Sequence, residues 1–460
     1  MEQYEIYTKL QNLLLSMNEN GSSNQVMNYI LENELLKDKG ISLSTMKLLS
    51  SFVYSHTKQL NTIVSMLKKI PKIGIFTYIH DIDFDGIGAM YEIIQKIQIS
   101  YYLLYKSKHI TKEKYKQYLK NTNRSCRYLT ERCNRINYYN IFNHSEDVCP
   151  FYKAIFNDDV DLLQNIIEHT NFDIQKAIKF PIFKLYNFFS SPILLEYSAF
   201  YGSIRCFKYL LMKSDNVDYS RLLEYAVAGG NIEIIHITEN MSHDINILKN
   251  VKLLYMAITF MHNELIEYIV DNYGVKIDGE CYILCINNAN YAAMIMLIDL
   301  DKARSINDFG EHGFTPLMKA VFEGFFDYFV FLLSIEAVEH TKCCPDYGSI
   351  LFCAALVGKL NIAEYIIKNK LYIDGESSIW TFREVHELYM HYKEIELEKS
   401  ESNNIWVEFI EEFDDEDEKN YIIKKRYYDA KYKKKEKKRK RFHSLKKREK
   451  NELYSRSPNK

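Results

Sequence analysis

The chain has 460 residues, 47% of them hydrophobic and 26% charged, with a formal net charge of −2. That length and balance fit two or three globular domains with a large buried core, and they exclude a composition-driven disordered chain. With 37 Tyr and 26 Phe but only 16 Gly and 7 Pro, the sequence predicts long helices rather than a many-turned β fold.

Residues 1–145 read as a helical N-terminal domain. The opening "MEQYEIYTKLQNLLLSMNENG" lacks a basic start, an apolar stretch and a small-residue cleavage site, so no signal peptide is expected. Leu10, Leu13, Leu14 and Met17 fall at i, i+3, i+4 and i+7, one apolar helix face. "SLSTMKLLSSFVYSHTKQLNTIVSMLKKI" carries the same pattern over a longer span, stopped by Pro71, and "YEIIQKIQISYYLLYK" is a further helix. No run reaches about 18 apolar residues, so no membrane span is expected. The nine scattered Cys are an odd number and read as reduced thiols used as small apolar side chains.

Between these helices, "HDIDFDGIGAMYE" places Asp81, Asp83, Asp85, Gly86 and Glu92 at the specified positions of a calcium-loop spelling. The eighth position is Gly88 where an apolar residue is usual, Pro71 and Gly74 break the entering segment, and no second loop follows. An acidic surface loop is therefore the expectation. Asp81, Asp83, Asp85 and Glu92 remain the metal candidate, as a lone low-affinity calcium site. The strand-like lead into H-D-x-D-x-D-G also resembles a metal-binding corner of manganese-dependent phosphoesterases, but the downstream His/Asp clusters of that site are missing.

Cys126, Cys133, His144 and Cys149 lack the tight spacing of a zinc knuckle, and Cys281 and Cys285 at i, i+4 read as helix packing. No nucleophile elbow, phosphate loop or dinucleotide fingerprint occurs, so the expectation is a non-enzyme with no cofactor.

From 146 to 375 one unit recurs. Its fullest form is "GFTPLMKAVFEGFFDYFVFLL": Thr315 as helix cap, Pro316 in the first turn, Leu317 and Ala320 facing inward, and Gly324 as a left-handed stop before a second apolar helix. The small residues Ala154, Ser198, Ala226, Ala257, Cys285, Ala320 and Ala354 mark seven such units. Gly202, Gly230 and Gly358 take the place of Gly324 in three of them, while Met261, Ala289 and Asp158 take it in others. A long insertion is expected in the first interval, around "AIKFPIFKLYNFFSS".

This grammar, T-P-L-x-x-A-x-x-x-G followed by an apolar helix at a spacing near 33 residues, resembles the ankyrin repeat. It is similar in style to the degenerate ankyrin families of protozoan parasites, which pair a helical N-terminal region with repeats. The resemblance implies an all-α helical solenoid and a non-enzymatic protein-interaction module, an adaptor or scaffold. Partner contacts are expected on the loops between units, such as "DLDKARSINDFGEHG" and "VEHTKCCPDYG".

Residues 376–460 form a charged tail. Glu408–Glu418 holds eight acids and no base, and Tyr421–Lys460 has 18 Lys and Arg against 4 acids, a net of +14 that leaves about −16 for the rest. The Lys433–Arg441 cluster fits a nuclear-import address or a salt-sensitive, low-specificity nucleic-acid contact. It equally fits a solvated arm lying back on an acidic body. The chain is thus expected to be cytoplasmic, with a nuclear location as the alternative, and to bind a protein partner.

Overall fold

The computed structural model describes residues 2–17, 23–36, 39–56, 59–70, 91–117, 150–177, 191–242, 245–310, 312–344, 348–372 and 382–401. The described residues are helical apart from turns, loops and one isolated bridge between Cys344 and Gly348. They divide into two compact units, Met1–Ile350 and Leu351–Lys460. The N-terminal helices and most of the repeats share the first of these units.

Among the described residues seven helix pairs carry the repeat. In the first unit they are α6 (Pro150–Phe156) with α7 (Val160–Thr170), α8 (Leu194–Phe200) with α9 (Ile204–Lys213), and α10 (Tyr219–Gly229) with α11 (Ile232–Met241). A short α12 (Ile245–Leu248) precedes α13 (Val251–Thr259) with α14 (Glu264–Tyr273), then α15 (Gly279–Asn288) with α16 (Tyr291–Asp301), and α17 (Pro316–Glu323) with α18 (Phe326–Leu333). The first helices α8, α10, α13, α15 and α17 pack on one another in succession.

One local device makes every turn between paired helices. The turn residues Asp158, Gly202, Gly230, Met261, Ala289, Gly324 and Gly358 all have positive φ, between 51° and 75°. In six pairs the carbonyl of the small anchor accepts a bond from the N–H five residues on: Asp159 to Ala154, Ser203 to Ser198, His262 to Ala257, Asn290 to Cys285, Phe325 to Ala320 and Lys359 to Ala354. That is a Schellman closure, which satisfies helix-end carbonyls inside the chain. In the remaining turn Gly230 N–H donates to the Ala226 carbonyl. All seven anchors are fully buried, which is why they are small.

A left-handed non-glycine residue costs roughly 1–2 kcal/mol. Asp158 offsets this with its carboxylate, which accepts from the N–H groups of Arg205 and Cys206 in the next pair. Met261 and Ala289 offset it by burial, both being at most 1% exposed.

The N-terminal helices belong to the same unit as these pairs. They are α1 (Glu2–Leu15), α2 (Ser23–Glu32), α3 (Lys39–Ser55), α4 (Leu60–Lys69) and α5 (Tyr91–Lys106). The apolar span around residue 55 is not one helix. Ser55 Oγ bonds back to the Ser51 and Phe52 carbonyls at the end of α3, and α4 begins only at Leu60. α1 packs against α16 and α18, so the first helix of the chain lies on second helices of the repeat.

In the second unit α19 (Ile350–Leu356), whose first residue closes the unit before it, pairs with α20 (Leu360–Lys368), and α21 (Arg383–Glu401) packs along α20. Tyr392 OH donates to the Glu364 carboxylate across these last two helices.

Candidate functional site

The repeat unit has two edges. One carries the tight turns inside the pairs; the other carries the longer linkers between pairs, here called fingers.

The turn edge is covered by α1 and α3. Tyr4, 2% exposed, donates from its hydroxyl to the Tyr291 carbonyl, stacks on Phe331 at 3.8 Å and meets Tyr291 and Tyr328 edge-on at 5.0 and 5.3 Å. Gln11, fully buried, donates to the Asn290 side chain at 2.6 Å and accepts from Ala292 N–H at 3.0 Å. Asn290 in turn donates to the Ile258 carbonyl and to Asn263.

From α3, Ser44 donates to the buried Asp327 carboxylate, which also accepts from Tyr291. Lys47 Nζ donates to the Glu323 carbonyl at 2.9 Å and lies 3.7 Å from the centre of the Phe325 ring. Burial pushes the Asp327 carboxyl up from its ordinary value, against its hydrogen bonds from Tyr291 and Ser44. Beneath it all, Lys319 and Glu323 make a buried ion pair at 2.7 Å.

The finger edge is built differently. Four fingers end on a residue that caps the following first helix: Asp218 accepts from Arg221 N–H, Asn250 from Lys252, Asp278 from Cys281 and Thr315 from Met318. Side chains of the preceding first helix reach two of these caps. Tyr255 OH donates to Asp278 at 2.6 Å, and Asn250 donates to Glu224 at 3.3 Å. Arg221 binds both oxygens of Glu196, whose Oε2 also accepts from Ile193 N–H. Burial pushes the Glu196 carboxyl up, opposed by that N–H and by Arg221.

The last two fingers of this unit are joined through Asn307. Its side chain donates to the Ala337 carbonyl at 2.6 Å and accepts from Glu339 N–H at 2.9 Å, and its carbonyl accepts from Lys342 Nζ at 2.8 Å. Lys342 also lies over the Phe309 ring at 5.1 Å. Gly279 and Gly310 let the finger close down: a Cβ on Gly279 would overlap the Asp308 carbonyl, and one on Gly310 the Glu280 carboxylate. What is left outward is Arg304, Asp308, Phe309, His312, Glu336, Glu339, Thr341 and Cys343, with Phe309 43% exposed.

The sequence-derived candidates fall in three places. Thr315, Pro316, Leu317, Ala320 and Gly324 form the cap, first turn, core and stop of α17, and Gly202, Gly230, Gly358, Ala226 and Ala354 are turn and anchor residues. Asp81, Asp83 and Asp85 lie outside the described residues, as do Cys126, Cys133, His144, Cys149, the insertion at 178–190 and the whole run 402–460. Glu92 stands in α5 with its side chain outside the description. Among the described residues no group of three His, Cys, Asp or Glu could hold a metal ion. No described helix is long and apolar enough to cross a membrane. Arg221, Glu196, Tyr255, Asn307 and Lys342 were not singled out by the sequence, because their partners lie 23 to 35 residues away.

No family model matches the chain, and no curated protein does. Among solved structures, the human ASB11 ankyrin repeat domain is similar, at 16% identity and a TM-score of 0.32, over 46% of this chain and 97% of that one. The ankyrin-type architecture stands on the chain's own seven left-handed turns and buried anchors.

Proposed function

We propose that this chain is a non-enzymatic protein-binding scaffold whose partner surface is the finger edge of its repeats, around Arg304–His312 and Glu336–Cys343. One observation carries this reading: α1 and α3 occupy the turn edge of the α15–α16 and α17–α18 pairs, whereas the fingers present mixed charge and a half-exposed aromatic ring on a backbone already hydrogen-bonded. An exposed aromatic on a preorganised loop is the usual anchor of a protein interface, since little ordering entropy is lost on binding. The adaptor role and a cytoplasmic location belong to this proposal.

The second reading comes from the sequence. The +14 run Tyr421–Lys460 is the chemistry of a nuclear or nucleic-acid-associated factor, through import or counterion release. Capture of partners by the full chain separates the two. A Phe309→Ala, Arg304→Glu variant is compared with one in which Lys433–Arg441 carries Gln for every base, with and without nuclease. Loss of the captured protein in the first variant alone supports the finger surface. Loss only in the second, or only with nuclease, makes the basic run the functional end.

A further inference from the structure

His56 and His262 meet at the dock between the N-terminal helices and the repeats. Their ring centroids are 5.7 Å apart. His56 closes α3, stacks on Phe52 at 4.8 Å, and has Nδ1 2.8 Å from Ser55 Oγ. His262 follows the left-handed Met261 in the turn before α14. Its Nε2 is 3.0 Å from the Ala228 carbonyl, which can only accept, so Nε2 carries the proton. Its Nδ1 faces the Glu264 carboxylate at 3.7 Å.

The surroundings are tight and largely apolar. Gly230 leaves no room beside the His262 ring for a Cβ, and Tyr54 and Phe200 pack on Phe260 next to it. The charged group facing the two rings is Glu264, which is exposed. Burial first, and then the neighbouring His262, push His56 from 6.5 down to about 3, against the pull of Glu264 and the Phe52 backbone.

The other end of the dock responds with the opposite sign. Lys47, the Lys319–Glu323 pair and Asp327 are the charged groups there. The Asp327 carboxyl is raised, so its protonation favours the docked state, and that contribution is lost as pH rises through the docked value. The depressed His56 does the reverse: acid below about 6.5 charges it only when undocked, so docking weakens as pH falls.

We propose that the facing rings of His56 and His262 form an acid-sensitive latch, which releases the end of α3 from the Met261 turn while α1 stays seated on α16 and α18. Between about pH 7.5 and about pH 5.5 release becomes about tenfold easier, because the undocked histidine takes up a proton that the docked one refuses.

Hydrogen exchange on the full chain, corrected for intrinsic rates, tests this. Peptides covering 46–56 and 257–265 should exchange about tenfold faster at the lower pH, with α1 peptides unchanged. A His56→Gln, His262→Gln variant should lose that pH dependence. Equal protection at both pH values, or the same acceleration in the variant, overturns the proposal. Should the variant fail to fold, the wild-type His56 Cε1 resonance decides. It stays in the neutral position while docked if the latch exists, and an ordinary titration near 6.5 without faster exchange overturns it.

Discussion

The two edges of the repeat unit are held by opposite means. On the turn edge, side chains from residues 4 to 47 bond to groups at 290–327, and those of Tyr4, Gln11 and Ser44 do so in buried surroundings, with Lys47 half-buried. On the finger edge, caps and Asn307 satisfy backbone groups within 2 to 35 residues, and many side chains remain exposed. A buried polar group without its partner costs about 1–3 kcal/mol, and a solvated one costs little. The turn edge is thus committed to folding, and the exposed side chains of the described fingers are free to vary.

Mutations placed on either side should separate these roles. Tyr4→Ala removes three aromatic contacts and the hydroxyl's bond to the Tyr291 carbonyl, so a loss of about 3–5 kcal/mol in urea unfolding is expected. A loss under about 1 kcal/mol would show that α1 is an ornament on the repeats and would erase the contrast.

Two glycines sharpen it. Gly230, at φ 72° on the turn edge, has the His262 ring where a Cβ would go, and Gly274, at φ 65° where a finger begins, has nothing within 4 Å. Gly230→Ala should cost about 2–4 kcal/mol, from backbone strain and overpacking together. Gly274→Ala should cost about 1 kcal/mol, from the backbone alone. Equal costs in thermal unfolding would mean that neighbours on the two edges do not differ in rigidity.

Asn307→Ala removes the joint between two fingers. About 1 kcal/mol of stability should go, with faster hydrogen exchange confined to 303–314 and 336–344. Smallest in stability is Phe309→Ala, expected within about 0.5 kcal/mol of wild type because the ring is half exposed. Its effect should instead be on partner capture; unchanged capture would move the binding surface away from these fingers.

The repeat was legible because it is local. The anchor, the left-handed stop and the bond closing them lie within six residues, so spacing alone exposed Ala320 with Gly324 and Ala354 with Gly358. The same closure survives at Asp158, Met261 and Ala289, where the glycine signal is missing. There the neighbouring pair, or burial, supplies what glycine would have given through its backbone.

The docking of the N-terminal helices was not legible. None of Gln11, Lys47 and Tyr4 was singled out by the sequence. Nothing in their own turns of helix distinguishes them. Gln11 is paired with Asn290, 279 residues away, and Lys47 with the Glu323 carbonyl, 276 residues away.

By itself, then, the sequence determined the helix pairs, their number and the small residue at the heart of each turn, because hydrogen bonds a few residues long are written in consecutive letters. Only the tertiary structure decided that the N-terminal helices cover the turns near residues 290–327. That choice rests on pairing buried polar groups, and a buried polar group is stable only beside a partner that its own stretch of sequence does not name.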